Sequence, residues 1–107
     1  MSGTFEIILK LTENNTLVVS NHGYDELSAD SIWLNDVIKG AEHGVVIEDY
    51  PDYPKGPCVL VLQRDSRGNP IHIVWGIPKG LQSPAVLIPA YRPAETLWSS
   101  DFTRRKP

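Results

Sequence analysis

CVLVLQRDSRGNPIHIVW, residues 58–75, contains two runs rich in β-branched and large aliphatic residues, separated by a short polar turn. The runs 59–62 and 71–75 have the length of strands, and the connection 65–70 has the Asp, Gly, Asn and Pro residues that turns favour. A connection this short leaves no room for a crossover helix, so the two strands should pair antiparallel. The stretch predicts a β-hairpin at the centre of the fold.

Two further strands are predicted on either side of this hairpin, at 45–47 and 85–88. The connections 50–57 and 76–80 are rich in Pro and Gly and are also too short for crossover helices. The carboxyl-terminal part of the chain should therefore form a four-stranded antiparallel sheet.

Helices are predicted before the sheet. Residues 5–11 could form a short helix or an edge strand, and the i,i+4 spacing of Glu6 and Lys10 favours the helix. Residues 17–19 lead into Ser20, a good N-cap for a helical turn that carries His22. The clearest helical spacing covers roughly residues 29–41, with Ser28 or Asp30 as N-cap and Gly40 at the end. We predict a single α+β domain over residues 1–107, with N-terminal helices packed on one face of the sheet.

The composition limits the classes of function. A net charge of −3 over 107 residues argues against a general nucleic-acid coat, although most acids precede residue 53 and all arginines follow it. No apolar run approaches the roughly 20 residues of a membrane span, and no secretion leader is recognisable at the start. The lone Cys58 is expected to be a packing residue, which suits a protein of the cytoplasm.

His72 is the first candidate for chemistry. Alternation along its strand places it on one face with Val74, while Ile71, Ile73 and Trp75 take the other. Such a histidine is either buried and bonded to the backbone or active in proton transfer. The sequence leaves both readings open.

His22 and the segment Tyr91-Arg92-Pro93 are the other candidates. On a helix, Asp25 and Glu26 would share a face with His22, which fits a helix-capping arrangement or an oriented catalytic imidazole. Tyr91 and Arg92 would stand at the rim of the last strand, where they either cover the core or contact phosphate. The spacing of histidines and the single cysteine show no metal signature, and no cofactor motif is found.

The order of these motifs resembles the bacterial family catalogued as domain of unknown function 4258. The resemblance covers about residues 18–98 and consists of an early helical histidine, a helix ending in Gly, an acidic Tyr-Pro segment, a strand with a central histidine and a final Tyr-Arg-Pro. These features are His22, Gly40, Glu48-Asp49-Tyr50-Pro51, Pro70-Ile71-His72-Ile73-Val74 and Tyr91-Arg92-Pro93.

The resemblance implies the fold of RelE-like and barnase-like ribonucleases and the activity of a toxin of a bacterial toxin–antitoxin pair. The implied reaction is metal-independent cleavage of RNA, with a cognate antitoxin as protein partner. His22, His72 and Tyr91 match the family's motif residues. His22 and His72 would be the base and the acid in either order, Tyr91 would be an auxiliary donor or a stacking platform, and Arg92 would be the cation. Many members carry arginines soon after the first histidine, whereas this chain has none before Arg64.

Two other classes of function fit the same sequence. The acidic composition and the loop from Tyr50 to Tyr53 suit a non-catalytic protein-binding module of the same fold. Exposed edge strands would also suit a structural partner in a larger assembly. Convergence of the candidate side chains in one concave site would favour an enzyme.

Overall fold

The computed structural model describes residues 2–107. In chain order these residues form α1 (Gly3–Glu13), β1 (Leu17–Val19), α2 (Asn21–Ala29), α3 (Leu34–Gly40), a 3-10 turn (Ala41–His43), β2 (Val45–Tyr50), β3 (Cys58–Arg64), β4 (Pro70–Gly76) and β5 (Ala85–Tyr91). The predicted α+β class is confirmed.

Two serines begin the first two helices. The hydroxyl of Ser2 accepts a hydrogen bond from the backbone N–H of Phe5, and the hydroxyl of Ser20 accepts one from Gly23. Each bond satisfies a backbone donor that a helix start would otherwise leave unpaired. The predicted N-cap at Ser20 and the helical position of His22 are confirmed.

The predicted helix over residues 29–41 is wrong in its first part. α2 continues to Ala29, Asp30 is its C-cap, and α3 begins only after Trp33. The break comes at Ser31, which adopts a left-handed φ of 54°, and the next N–H, that of Ile32, bonds back to the carbonyl of Leu27. This is a helix-ending arrangement, which the helical spacing of the apolar residues does not reveal.

The sheet has five strands in the order β1-β5-β4-β3-β2, and it is mixed, so the prediction of four antiparallel strands is incomplete. The four predicted strands do pair antiparallel. The additional strand β1 has three residues and lies parallel to β5, with Leu17 opposite Ala85 and Val19 opposite Leu87. A three-residue run carries little strand signal, and its partner lies at the far end of the chain.

The central hairpin is built as predicted. Leu62 of β3 stands opposite His72 of β4, and the carboxylate of Asp65 accepts hydrogen bonds of 2.9 Å from the backbone N–H groups of Arg67 and Asn69. Gly68 takes a φ of 81°, which glycine adopts without the steric cost of a Cβ atom. The turn residues thereby fix the register of the hairpin.

The two faces of the sheet differ. One face packs against the helices and forms the hydrophobic core, which includes Phe5, Ile8, Leu27, Val37, Val59, Val61, Ile71, Ile73, Trp75, Leu87 and Ala90. The opposite face has no helix over it and is partly covered by residues 94–107, in which residues 95–97 form a turn closed by bonds from the N–H groups of Leu97 and Trp98 to the carbonyl of Ala94. Within residues 2–107 no helix is both long and apolar enough to cross a membrane.

Candidate functional site

His72 and Tyr91 form the centre of the candidate site, on the face of the sheet without helices. They are cross-strand partners in β4 and β5, and the hydroxyl of Tyr91 lies 3.3 Å from Nδ1 of His72. The other ring nitrogen, Nε2, lies 2.8 Å from the backbone carbonyl oxygen of Phe102. His72 has no exposed surface and contacts a backbone carbonyl, as the buried alternative predicts, whereas its role in proton transfer stays a prediction.

These contacts determine the tautomer of His72. A carbonyl oxygen can only accept a hydrogen bond, so Nε2 must carry the proton that it donates to Phe102. In the neutral ring Nδ1 then has the lone pair and accepts the hydrogen of the Tyr91 hydroxyl. The phenol oxygen of Tyr91 is therefore polarised by a buried imidazole.

The pKa values of both groups favour these neutral forms. Burial lowers the pKa of His72, and the charge of Arg105 acts in the same direction, although the bond to Phe102 and the charge of Glu48 oppose the shift. Burial also raises the pKa of Tyr91. The pair is thus a neutral imidazole beside an un-ionised phenol.

A bulge in β5 brings Tyr91 to this face. Between the pairs Ile73–Ala90 and Trp75–Leu87, β4 advances two residues while β5 advances three. The extra residue lies in the segment of Ile88 and Pro89, and proline is common at bulges because it cannot donate to the ladder. Strict alternation would send Tyr91 into the core with Leu87.

A second bulge acts on β2 in the same way. Val46 stands opposite Val61, whereas Glu48 stands opposite Leu60, so Ile47 is the extra residue. Since Val46 packs on the core, uninterrupted alternation would place Glu48 on the core side too. The bulge turns Glu48 and Tyr50 to the face that His72 and Tyr91 occupy.

Glu48 holds a cation and a phenol at this site. Nε and Nη2 of Arg105 donate to its two carboxylate oxygens at 2.8 and 2.9 Å, and the hydroxyl of Tyr50 donates to it at 2.9 Å. The guanidinium also lies 4.8 Å from the ring centre of Trp98. The bonds from Arg105 lower the pKa of Glu48, although partial burial opposes them, and the bond to Glu48 raises the pKa of Tyr50.

A cavity of about 560 Å³ joins these groups. Its polar side consists of Glu48, Tyr50, Tyr91 and Arg105, with Lys55 and Tyr53 also in the wall. Its remaining walls are mostly apolar and include Leu60, Val74, Ile77, Pro78, Val86, Ile88 and Pro89. A concave apolar site with a few convergent polar groups is typical of a ligand site.

Arg92, the predicted cation, lies outside this cavity wall. Its guanidinium forms a 2.9 Å ion pair with Asp65, and its backbone N–H donates to the carboxylate of Asp30. Further bonds reach the carbonyl oxygens of Asp30 and Pro70. Arg92 joins the end of α2, the hairpin turn and the end of β5.

His22 is not brought to His72. It lies in the first turn of α2, is 69% exposed and contacts Glu26 at 3.4 Å, as the spacing predicted. The buried residues of α2, Gly23 and Leu27, face the helical side of the sheet, where Leu27 joins the core. The two imidazoles are thus on opposite sides of the sheet.

The described residues offer no metal-binding group at the site, and the one thiol, Cys58, lies in the cavity wall. Residues 2–107 contain no group of three or more His, Cys, Asp or Glu side chains arranged to hold a metal ion. Cys58 is buried, and burial raises the pKa of its thiol. Its predicted role as a packing residue agrees with this position.

Three residues of the site, Glu48, Tyr50 and Arg105, were not predicted from the sequence to take part in its chemistry. Glu48 and Tyr50 lie in the acidic Tyr-Pro motif, and their spacing of two residues already indicates a shared face. Arg105 has no local signal, because its partner Glu48 lies 57 residues earlier. Trp98 and Phe102, which cover His72, are also apparent only from the fold.

Comparison with known proteins agrees with the motif order. No curated protein and no solved structure matches the chain. A sequence model of the family described as Domain of unknown function (DUF4258) matches residues 19–92, which include His22, His72, Tyr91 and Arg92. Because this match spans well over half of the chain, the protein belongs to the DUF4258 family.

Proposed function

We propose that this protein is a metal-independent endoribonuclease toxin of a bacterial toxin–antitoxin pair, acting in the cytoplasm. The observation that carries the proposal is the convergence of Tyr91, its buried partner His72, and the Glu48–Arg105 pair at one cavity. A proton acceptor and a fixed cation beside an accessible cavity are the groups that cleavage at a phosphodiester requires.

The proposed reaction uses the 2′-hydroxyl of RNA as nucleophile. Tyr91 takes the proton of that hydroxyl while passing its own proton to Nδ1 of His72, and the 2′-oxygen forms a bond to phosphorus. The bond from phosphorus to the 5′-oxygen breaks, and the same pair returns the proton to this leaving oxygen. The products are a 2′,3′-cyclic phosphate and a 5′-hydroxyl, and the protein ends in its starting state.

Arg105 is the proposed cation of this scheme, in place of Arg92. It lies in the cavity wall and is 63% exposed, so a phosphate oxygen can reach it. Glu48 orients its planar guanidinium by two parallel bonds, and preorganised charge of this kind stabilises the transition state. Arg92 has its guanidinium already engaged with Asp65.

A RelE-like or barnase-like fold is part of the proposal. The helices on one face and the antiparallel neighbours β5-β4-β3-β2 beneath an open face support it. A cognate antitoxin is the proposed protein partner, and it would act by covering the open face. The exposed rings of Tyr50 and Tyr53 at the cavity offer the aromatic contacts that protein interfaces favour.

The test is an RNA cleavage assay in the presence of a chelator, with and without translating ribosomes. Wild-type protein should cleave an all-ribose oligonucleotide, leave its 2′-deoxy counterpart intact, and yield a cyclic phosphate detectable by mass spectrometry. Tyr91→Phe should lose about 10²–10⁴-fold in rate, whereas the exposed control Tyr24→Phe should retain it. Equal rates for Tyr91→Phe and wild type, or no cleavage by wild type under either condition, would overturn the proposal.

The second candidate function is a non-catalytic protein-binding module of the same fold. The apolar part of the cavity, with Ile77, Pro78 and Ile88 beside the half-exposed Tyr53, favours it. In that case Tyr53→Ala should weaken binding of a partner protein, while Tyr91→Phe should leave binding unchanged and no RNA cleavage should be measured.

A further inference from the structure

The segment from Trp98 to Arg105, here named the C-terminal clasp, lies over the buried histidine. Trp98 and Arg105 form an isolated β-bridge, and the backbone N–H of Ser99 bonds to the carbonyl of Arg104 at 2.8 Å. The ring of Trp98 meets His72 edge-on with ring centres 4.3 Å apart. The clasp lies beyond residue 92, where the family match ends.

The tip of the clasp holds one backbone carbonyl against His72. Phe102 has a left-handed φ of 62°, which is uncommon for a residue with a large side chain. In this conformation its N–H bonds to the carbonyl of Ser99 at 2.9 Å, and its own carbonyl lies 2.8 Å from Nε2 of His72.

Asp101 fixes this backbone turn. One carboxylate oxygen accepts bonds from the hydroxyl of Ser99 at 2.6 Å, the hydroxyl of Thr103 at 2.7 Å and the N–H of Thr103 at 3.2 Å. These bonds lower the pKa of Asp101 to about 2, so its carboxylate is ionised at neutral pH. The clasp therefore has its own stabilising contacts, and they point Phe102 towards His72.

We propose that the C-terminal clasp positions the proton of His72: the Phe102 carbonyl keeps it on Nε2, so that the Nδ1 lone pair faces the hydroxyl of Tyr91. Phe102 and Asp101 are thus positioning residues, which act through His72. Without the carbonyl, the proton of the neutral ring is free to move to Nδ1. Tyr91 would then lose the acceptor for its own proton.

This inference deepens the proposed function, and its value for catalysis rests on that function. The tautomer of His72 is nevertheless a property of the protein without RNA. A measurement of the tautomer therefore separates failure of the positioning role from failure of the proposed ribonuclease activity.

The first test compares two substitutions at one backbone position. Phe102→Gly accepts a φ of 62° and keeps the carbonyl in place, whereas Phe102→Pro forces φ to about −65° and removes the N–H that bonds to Ser99. Full-length proteins with ¹⁵N-labelled histidine would be studied by long-range ¹H–¹⁵N NMR at pH 7.5. Wild type and Phe102→Gly should both show the proton of His72 on Nε2, and Phe102→Pro should show a mixture with the Nδ1-protonated form.

A second pair of variants keeps the test valid if Phe102→Pro does not fold. Asp101→Ala removes the acceptor that holds the turn, and Glu95→Ala removes an exposed carboxylate earlier in the same tail. Asp101→Ala should shift the tautomer of His72, and Glu95→Ala should not. Wild-type His72 protonated on Nδ1, or an unchanged His72 spectrum in folded Phe102→Pro or Asp101→Ala, would overturn the inference.

RNA cleavage by the same proteins gives the second readout. Phe102→Pro should lose on the order of 10²–10⁴-fold in rate, the loss expected when a proton acceptor is misplaced, while the exposed control Glu95→Ala should retain the rate. If a variant with a shifted His72 tautomer cleaves RNA at the wild-type rate, the positioning role is contradicted. If the tautomers are as predicted but the wild-type protein does not cleave RNA, the positioning of His72 is supported and the ribonuclease proposal is rejected.

Discussion

The hydroxyl of Tyr91 meets Nδ1 of His72 at 3.3 Å because an extra residue in β5 turns Tyr91 onto the face that His72 occupies. The backbone of Phe102 engages the other ring nitrogen. This pair connects a buried, neutral imidazole to a phenol in the wall of the cavity, and it has consequences for stability as well as for chemistry.

The free energy of unfolding should depend on the protonation of His72. Burial lowers its pKa in the folded state below the unfolded value near 6.5, so the unfolded chain binds more protons in the window below about pH 6.5. The contribution of the neutral His72 to the free energy of unfolding is complete above pH 6.5. It is lost as pH falls towards the folded pKa, and the free energy of unfolding then changes by up to about 1.4 kcal/mol per pH unit.

Urea unfolding between pH 7.5 and 5 measures that slope. His72→Gln, which cannot titrate, should give a flatter dependence than wild type. The exposed His43→Gln should keep the wild-type slope. Equal slopes for His72→Gln and wild type would contradict the assignment.

Replacement of Gln63 should lower the free energy of unfolding, although Gln63 does not line the cavity. Its amide nitrogen donates to the carbonyl of Val37 at 2.8 Å, and its amide oxygen accepts from the indole of Trp75 at 3.0 Å. Gln63→Leu would leave both buried partners unpaired, at about 1–3 kcal/mol for each. Denaturant unfolding should show this loss, and Gln82→Leu, an exposed change in a loop, should show almost none.

Substitution of Arg92 should mainly lower stability, whereas substitution of Arg105 should mainly lower activity. Arg92→Met should lower the free energy of unfolding by about 1–3 kcal/mol, because Asp65 is left with little solvent and without its cation. Although burial opposes the ionisation of Asp65, its bonds from Asn69, Arg67 and Arg92 lower its pKa. Arg105→Met should instead reduce RNA cleavage with a smaller effect on unfolding, because its guanidinium is mostly exposed.

The exposed Arg67→Met is the matched control for both variants, and it should alter neither property. If Arg92→Met abolished cleavage without loss of stability, the sequence-based assignment of Arg92 as the cation would be correct.

Substitution of His22 tests the sequence-based hypothesis that His22 and His72 act together as base and acid. A catalytic His22 would make His22→Gln about 10²–10⁴-fold slower in RNA cleavage. From its position on the outer side of α2, we expect the rate of His22→Gln to equal that of wild type, while His72→Gln loses activity. Comparable losses in the two variants would show that His22 reaches the substrate.

The local patterns in the sequence determined most of the elements. Runs rich in β-branched and aliphatic residues predicted β2 to β5, Asp65 and Gly68 predicted the central turn, and Ser20 predicted the start of α2. These features depend on neighbours a few residues away, so they can be read from the chain. The order of the motifs also indicated the family.

Tertiary structure decided the sheet edge and the composition of the site. The pairing of β1 with β5 and the bond from Arg105 to Glu48 join residues far apart in the sequence, and such contacts leave no local pattern. Alternation fixes the face of a side chain only while the ladder is regular. Single extra residues in β2 and β5 therefore decided that Glu48 and Tyr91 share a face with His72. The packing of α2 on the opposite face, through Leu27, decided that His22 lies on the helical side.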